Sequence, residues 1–297
     1  MEKFDAIVIG GGVIGTSIAC HLARLGAGRV LLLERNQLGG GTTAQSSCIV
    51  RTHYSVRENV ALAQASLAVF EDFQGYLEDA DADCGLNRCG LMLIAPEGDR
   101  AAALRGTLAA QRRLGIAADE IGADDARRIH PLVDLTDAPV VGWEPGAGYA
   151  DAYMTLSAYA RGARRRGATI REGVAVTGLV RDGTRVAGVE TAQGNILAGV
   201  VISAQNMWSR EIGQWTGIDV PLALSRHAVI TLEGSTPYTP DLPVVMDWVP
   251  RGGIYFRSYG RRQVLAGDTG CLVRSSSFGS QGTSLDRSLC ASMSSGL

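Results

Sequence analysis

The sequence predicts an α/β protein, α+β over its whole length, that opens with a Rossmann-like βαβ unit and later forms a β-meander. Three observations support this fold class. An apolar run at residues 4 to 9 precedes a glycine-rich turn and an amphipathic segment that ends at Gly26, and a second apolar run, Val30–Leu33, follows. Beyond residue 168, short alternating segments indicate antiparallel strands. The chain has 297 residues with 46% hydrophobic content, which allows about two domains.

The turn after the first strand carries a GxGxxG pattern. Gly10 permits the tight turn, Gly12 lets the backbone approach a pyrophosphate, and Gly15 lets the helix pack closely on the strand. Val13 and Ile14 are the first residues of the helix, and their backbone N–H groups are expected to point toward a bound anion. This arrangement predicts a dinucleotide-binding turn, with an ordinary glycine-rich turn as the alternative.

An acidic residue stands where such a unit needs one. Glu34 ends the second apolar strand, nineteen positions after Gly15. A carboxylate at this distance accepts hydrogen bonds from a ribose diol. The strand, the helix and the acid therefore support the same interpretation.

The later elements follow from periodicity and turn residues. We expect a strand at 91 to 94 and helices at 99 to 114, 124 to 130 and 153 to 166. A β-meander is predicted from segments 168 to 172, 174 to 181, 185 to 191 and 195 to 197. Beyond Pro221 we expect an antiparallel sheet from segments 224 to 232, 243 to 247, 253 to 257 and 263 to 267.

Charge and cysteine content exclude several classes of protein. Lys and Arg total 28 against 30 Asp and Glu, so no nucleic-acid surface is indicated. The uncharged run at residues 6 to 20 contains four glycines and suits the nucleotide fold better than a signal peptide or membrane span. We therefore expect a cytoplasmic protein without a membrane span. The six cysteines form no CxxC pair, which predicts free thiols and no metal site.

Several phrases share a resemblance to one family. They are ERNQLGGGTT at 34 to 43, EPGAGYAD at 144 to 151, VVISAQNMWS at 200 to 209 and IYFR at 254 to 257. Together they resemble the D-amino-acid oxidase superfamily of FAD enzymes, in the branch with sarcosine oxidases, glycine oxidase and dimethylglycine dehydrogenase. The resemblance covers about residues 4 to 270.

The resemblance implies a discontinuous architecture. An FAD-binding domain would comprise residues 1 to 85 and 145 to 218, and an inserted substrate domain with an antiparallel sheet would comprise 86 to 144 and 219 to 270. Residues 271 to 297 are rich in serine and are expected to be a disordered tail. The family's C-terminal phrases are not recognisable there, which suggests a truncated relative.

The resemblance also assigns substrate-side residues. Arg51 stands where monomeric sarcosine oxidases hold the substrate carboxylate, and a planar guanidinium pairs well with a carboxylate. A surface ion pair is the alternative for Arg51. His53 is a further catalytic candidate, and Tyr255 matches an aromatic residue near the family's substrate pocket, although it also fits an ordinary strand position. Cys48 replaces a second arginine of those oxidases, which makes an identical substrate doubtful.

On the cofactor side, the resemblance implies noncovalent FAD. Gln45 occupies the place of the histidine that bonds covalently to flavin in dimethylglycine dehydrogenase and its relatives. The backbone N–H and C=O of Val176, at a strand edge, would bind the adenine. Asn206 replaces a customary glycine and can adopt the positive φ of that turn. The remaining candidates for FAD contact are Arg35, Thr42, Thr43, Ser46, Ser47 and Ala204.

The implied activity is oxidation of a C–N bond in a small amino acid or N-methylated amine, by hydride transfer to flavin N5. The substrate would bear a carboxylate, the electron acceptor would be oxygen or a redox partner, and the chain could be a hetero-oligomer subunit. Lys3 is the sole lysine, and it stands before the first strand. The lysine that several sarcosine oxidases place over the flavin to assist oxygen is therefore missing, which favours a dehydrogenase over an oxidase. Two alternatives are a non-catalytic FAD-binding remnant or subunit and an FAD-dependent 2-hydroxy acid or glycerol-phosphate dehydrogenase. NAD as the cofactor is a further rival.

Overall fold

The computed structural model describes residues 2–136, 140–224, 227–234, 237, 242–250 and 253–268. The chain divides into two compact units, each built from two separate segments. The first unit comprises Met1–Cys89 and Pro145–Leu222, and the second comprises Gly90–Glu144 and Ala223–Leu297. The expected tail at 271 to 297 lies outside the described residues.

The described residues form the following strands in chain order: β1 Lys3–Ile9, β2 Val30–Leu33, β3 Ile49–Val50, β4 Leu91–Ala95, β5 Asp119–Ile121, β6 Val140–Glu144, β7 Gly148–Tyr149, β8 Thr169–Arg171, β9 Val176–Asp182, β10 Arg185–Thr191, β11 Ile196–Ser203, β12 Val229–Glu233, β13 Val244–Asp247, β14 Ile254–Tyr259 and β15 Gln263–Asp268.

The helices among the described residues are α1 Val13–Arg24, α2 Arg57–Glu71, α3 Phe73–Leu77, α4 Asp99–Arg113, α5 Ala123–Ile129, α6 Ala152–Arg165 and α7 Arg210–Thr216. Short 3₁₀ turns occur at Thr42–Gln45 and Asn206–Trp208. The helices expected at 99 to 114, 124 to 130 and 153 to 166 are confirmed, as is the strand expected at 91 to 94, each end within one residue.

A six-stranded sheet in the order β8-β2-β1-β11-β10-β9 forms the centre of the first unit. The strands β8, β2, β1 and β11 run parallel, and β11, β10 and β9 run antiparallel. Alternate residues of β1 and β2 enter two different hydrophobic clusters, with Val8 and Leu32 in one and Ile7 and Leu31 in the other. Both faces of the parallel strands are therefore covered, as parallel strands require. Each fully buried leucine stabilises the fold by about 1.5–3 kcal/mol.

The expected four-strand meander is partly wrong. The segment at Thr169–Arg171 pairs parallel with β2 at the opposite edge of the sheet. It follows helix α6, and a strand that follows a crossover helix returns parallel to the sheet. The segment expected at 195 to 197 is the start of a longer strand, β11, which stays antiparallel to β10 in the meander and also pairs parallel with β1.

An acidic side chain is enclosed beside α6. Asp79 is 6% exposed, and its carboxylate contacts Arg165 at 2.9 Å and Arg161 at 3.4 Å. Burial acts to raise the pKa of Asp79, but the backbone N–H of Asp81 and the two guanidiniums outweigh burial and hold the pKa below its usual range. The contacts join the turn after α3 to the solvent-facing side of α6.

The second unit contains a seven-stranded sheet in the order β12-β15-β14-β13-β4-β6-β5. Among its described strands, five pairings are antiparallel, whereas β13 and β4 pair in parallel. The four strands expected beyond Pro221 pair antiparallel with one another as predicted, and the sheet as a whole is mixed because β13 also pairs with β4. The two parallel strands come from separate segments of the chain, so no hairpin imposes an antiparallel direction on them.

Three further features concern chemistry. Cys20, Cys48, Cys84 and Cys89, the cysteines within the described ranges, are free thiols. No group of His, Cys, Asp and Glu in the part of the chain that the structure describes could hold a metal ion. Across those same residues, every helix is too short or too polar to cross a membrane.

Candidate functional site

The glycines of the turn after β1 are fixed by close backbone approach. Gly10 has φ +106°, and a Cβ there would lie 2.7 Å from the carbonyl oxygen of Ala204. A Cβ on Gly15 would lie 1.8 Å from the carbonyl oxygen of Gly10, and one on Gly12 would lie 3.0 Å from Thr43 Oγ1. The first two positions exclude any side chain, because the atoms they would meet belong to the backbone. Helix α1 consequently begins directly against the end of β1.

Glu34 lies at the end of β2 and fastens the glycine turn. Its Oε2 accepts a hydrogen bond from Gly11 N at 2.7 Å, and its Oε1 accepts one from Asn36 N at 2.9 Å. A carboxylate can accept about four hydrogen bonds, so acceptor capacity is left for a ligand. The two backbone donors hold the carboxylate in one orientation.

The N–H of Val13, at the start of α1, already has a protein partner. It donates to Thr43 Oγ1 at 3.1 Å. A hydroxyl that accepts this bond still has its own proton to donate. The anion contact expected from Val13 N stays a prediction.

A cavity of about 400 Å³ lies along the glycine turn and the ends of β1 and β2. We call it the glycine-turn cavity. The loop after β2, the start of β9 and the turn after β11 supply its other walls. Its predicted site residues are Gly10, Gly12, Glu34, Arg35, Thr42, Thr43, Val176 and Ala204.

A second cavity, of about 580 Å³, adjoins the first, with Thr43 lining both. We call it the Arg51 cavity, since Arg51 is the one cationic side chain among its lining residues. The Arg51 guanidinium donates to the carbonyl oxygen of His53 at 2.6 Å, and its central carbon lies 4.6 Å from the centre of the Tyr54 ring. These two contacts hold the guanidinium at the cavity wall.

Two helices complete the Arg51 cavity. Helix α2 contributes Asn59, Leu62, Ala63, Ser66, Leu67 and Phe70. The start of α6 contributes Asp151 and Thr155. Asp151 caps α6 by accepting from Met154 N at 2.8 Å, and Thr155 Oγ1 donates to the Asp151 carbonyl at 2.7 Å. Capping therefore places a carboxylate at the cavity wall.

Some of the predicted site residues do not line either cavity. Val13, Thr43, Ser46 and Arg51 line the Arg51 cavity, whereas Ile14, Gly15, Ser47 and His53 line neither of these two cavities. The side chain of His53 is 8% exposed, and Ile14 is 63% exposed. Tyr255 belongs to the second unit, on β14, where its ring faces Gly267 closely enough that a Cβ there would lie 2.3 Å from the phenol oxygen.

Two residues of the turn after β11 contribute more than the sequence analysis expected. Asn206 has φ 49°, so the expected positive φ at this position is confirmed. Its Nδ2 donates to Thr42 Oγ1 at 2.9 Å. Trp208 lines the glycine-turn cavity and stacks on Arg35, with 4.2 Å between the guanidinium carbon and the ring centre. Trp208 is therefore a residue of the cavity wall.

Comparison with protein families identifies the chain. The model of the family described as FAD dependent oxidoreductase (DAO) matches residues 5–291. The chain belongs to this family. The match extends past residue 270, where the resemblance in the sequence was expected to stop.

Individual relatives in the family act on amines. The chain is 31% identical to a 4-methylaminobutanoate oxidase (formaldehyde-forming) of Paenarthrobacter nicotinovorans over 81% of its length, covering 29% of that protein. It is 29% identical to sarcosine oxidase subunit beta of Arthrobacter sp over 74% of its length, covering 55% of that protein. The chain thus spans about a quarter to just over half of the curated relatives that it matches.

Several solved structures share the fold. The L-proline dehydrogenase from P. horikoshii superposes with a TM-score of 0.88 at 22% identity, covering 99% of this chain and 76% of that one. A glycine oxidase from Bacillus cereus gives 0.81 at 21% identity, covering 99% of this chain and 77% of that one. The predicted fold class is confirmed by these likenesses.

The residues of the glycine-turn cavity fit the ADP part of FAD, the cofactor of the family. Gly10 and Gly12 leave room that a side chain would fill, and Glu34 presents an oriented carboxylate acceptor. The hydroxyls of Thr42 and Thr43 lie in the same wall. The sequence pattern did not reveal Asn59 and Ser66, two exposed residues of α2 that line the Arg51 cavity, because that helix buries few apolar residues.

Proposed function

We propose that the chain binds FAD noncovalently and supports oxidation of a C–N bond in a small amine that carries a carboxylate. One observation carries this proposal: the Arg51 guanidinium lines a cavity that meets the glycine-turn cavity at Thr43. This assignment places Arg51, which would bind the substrate carboxylate, next to the cofactor.

The glycine-turn cavity would hold the ADP half of the cofactor. Glu34 would accept hydrogen bonds from the ribose diol, and Gly12 would let the pyrophosphate approach the turn. The backbone at Val176 and Ala204 would contact the adenine and pyrophosphate sides. The Thr43 hydroxyl, which accepts from Val13 N, would donate its proton toward the passing diphosphate or ribityl chain.

The Arg51 cavity would hold the flavin ring and the substrate. Arg51 would pair with the carboxylate through two parallel hydrogen bonds. The carbonyl of His53 and the ring of Tyr54 fix the guanidinium, so we assign His53 a positioning role through its backbone. The flavin, when bound, supplies the hydride acceptor at N5, and the protein orients the C–N bond toward it.

Several features of this proposal come from the resemblance. Gln45 lines the glycine-turn cavity at the place of a flavin-linking histidine, which supports noncovalent binding. A catalytic role for Tyr255, oxygen or a redox partner as acceptor, a hetero-oligomeric assembly and a cytoplasmic location stay predictions. No catalytic base is assigned.

The visible spectrum of the purified protein tests the proposal. It would be recorded before and after addition of FAD, and again after anaerobic addition of sarcosine, dimethylglycine, glycine or proline. We expect flavin bands that bleach with an amine. Bound flavin that no amine reduces would support a non-catalytic FAD-binding subunit, and faster bleaching by a 2-hydroxy acid would move the assignment to hydroxy-acid oxidation. Protein that binds no FAD would refute the proposal.

A further inference from the structure

We propose that Asn206 is a positioning residue that closes the outer wall of the glycine-turn cavity by holding Thr42. The wall in question is the loop from Gly39 to Gln45. This inference rests on FAD binding to that cavity, which is part of the proposed function, but it concerns a residue to which neither the family resemblance nor the glycine motif gives a role.

The loop is fastened to the glycine turn on one side. Gly39 N donates to the Gly11 carbonyl at 3.0 Å, and Thr43 Oγ1 accepts from Val13 N at 3.1 Å. A further bond within the loop runs from Ala44 N to the Gly39 carbonyl at 3.2 Å. These contacts fix the inner side of the loop and leave its outer side to other partners.

The outer side of the loop is joined to the turn after β11 by the side chain of Asn206, and Arg35, which precedes the loop, contacts the same turn. The Asn206 amide donates to Thr42 Oγ1 at 2.9 Å, and the Arg35 guanidinium stacks on Trp208 at 4.2 Å. A Cβ on Gly41 would lie 3.5 Å from the Trp208 ring, an ordinary packing contact. All four side chains in these two contacts line the cavity.

Asn206 suits this role through its backbone. Its φ of 49° is left-handed, a conformation that glycine adopts freely and asparagine tolerates. A glycine at this position would make the same turn without a side chain to reach Thr42. The substitution of asparagine for the customary glycine therefore adds a hydrogen bond and keeps the turn.

The contact also orients a donor. Because Thr42 Oγ1 accepts from the Asn206 amide, its own proton is left to donate into the cavity, where an anionic phosphate oxygen would accept it. We infer that Asn206 preorganises both the position of the loop and the polarity of the Thr42 hydroxyl before the cofactor binds.

The test compares Asn206→Gly with the wild-type protein. The variant removes the amide and keeps a backbone that favours positive φ, so folding is retained. Loss of one hydrogen bond and its ordering effect should weaken FAD binding about threefold to tenfold, measured by quenching of flavin fluorescence. In the protein without FAD, amide hydrogen exchange of the peptide spanning residues 39 to 45 should accelerate. A direct contact between Asn206 and FAD would leave that exchange unchanged.

Thr42→Val and the double variant test whether Asn206 acts through Thr42 or whether the two residues affect FAD binding independently. If Asn206 acts through Thr42, the double variant binds FAD no more weakly than the weaker single variant. Multiplied effects would overturn the proposal, as would unchanged exchange in Asn206→Gly. Glu78→Gly is the matched control, since Glu78 also has a left-handed φ of 54° and does not line either cavity. If the wild-type protein binds no FAD, the proposed function fails. Hydrogen exchange then tests by itself whether Asn206 holds the loop from Gly39 to Gln45 through Thr42.

Discussion

The two adjoining cavities of the first unit are built in different ways. The glycine-turn cavity is shaped by backbone atoms that approach one another closely at Gly10 and Gly15, where no side chain fits. The Arg51 cavity is shaped by side chains from a loop, from α2 and from the start of α6. A wall made of backbone leaves a local signature in the sequence, whereas a wall made of distant side chains does not. Substitutions of the glycines should consequently have steep effects on the first cavity, whereas substitutions of side chains should have graded effects.

The largest expected effect tests the close backbone approach beside the glycine-turn cavity, at Gly15, which packs α1 against β1 without lining the cavity itself. In Gly15→Ala the new Cβ would lie 1.8 Å from the Gly10 carbonyl oxygen, so α1 must move away from β1. We expect a loss of more than about 3 kcal/mol in unfolding free energy, measured by urea denaturation, together with loss of FAD binding. Gly106→Ala is the control, because Gly106 lies in α4 with open space around its Cβ position. A Gly15→Ala protein with wild-type stability would show that this close approach does not fix α1 against β1.

The next effect tests the side-chain wall. Arg51→Gln removes the cation that we assign to the substrate carboxylate. Hydrogen bonds to charged groups contribute about 1.5–3 kcal/mol each, and the glutamine amide can still donate one of the two, so amine binding should weaken by about tenfold to a hundredfold. Stopped-flow flavin reduction at varied amine concentration measures this, and FAD affinity should stay the same. Arg57→Gln, at an exposed arginine of α2 that does not line the cavity, should behave as wild type. Equal amine affinity in both variants would remove Arg51 from the proposed site.

A third substitution should change the stability of the fold without changing either cavity. Asp79 lines neither cavity, and its lowered pKa means that its contribution to stability is present above the unfolded value near 3.8 and is lost as pH falls through the folded value. Asp79→Asn should lower the unfolding free energy by about 2 kcal/mol at pH 7 with little change in FAD affinity. The difference from wild type should shrink below pH 4. A difference that is the same at pH 3 and pH 7 would show that charge is not its cause.

The smallest effect tests how Arg51 is held. Tyr54→Leu removes the ring on which the guanidinium rests at 4.6 Å, a cation–π contact that contributes about 0.5–1 kcal/mol at a partly exposed site. We expect amine binding about twofold to fivefold weaker in the same reduction assay. Tyr54→Phe keeps the ring and should match wild type. If the two variants were equally impaired, the phenol oxygen and not the ring would be responsible.

Local motifs account for what the sequence predicted. The βαβ unit, the fold class, the family and FAD are confirmed. The βαβ unit rests on glycine spacing and apolar strands within 34 residues, and the family and FAD rest on short phrases of four to ten residues each. The positive φ of Asn206 was likewise predictable from its place in a familiar turn. These features depend on few residues that lie close together in the chain.

Long-range partners account for what the sequence missed. Thr169–Arg171 looks like its neighbours in the meander, and only the crossover through α6 makes it parallel to β2. Helix α2 was not expected, since it has a single buried residue, Val60, and a weak apolar face. No pattern in the chain indicates that the Trp208 ring meets the Arg35 guanidinium. Such contacts depend on tertiary structure.

The dual pairing of β11 has a consequence for how the chain matures during synthesis. Ile9 pairs with Ser203, a partner 194 residues further along the chain. At a translation rate of about 5–20 residues per second, the edge of β1 that β11 will cover waits about 10–40 seconds for its neighbour to leave the ribosome. Throughout that interval an apolar strand with unpaired backbone groups is open to other nascent chains. Production of this protein should therefore depend on holding chaperones and on slow, cool expression more than its folded stability suggests.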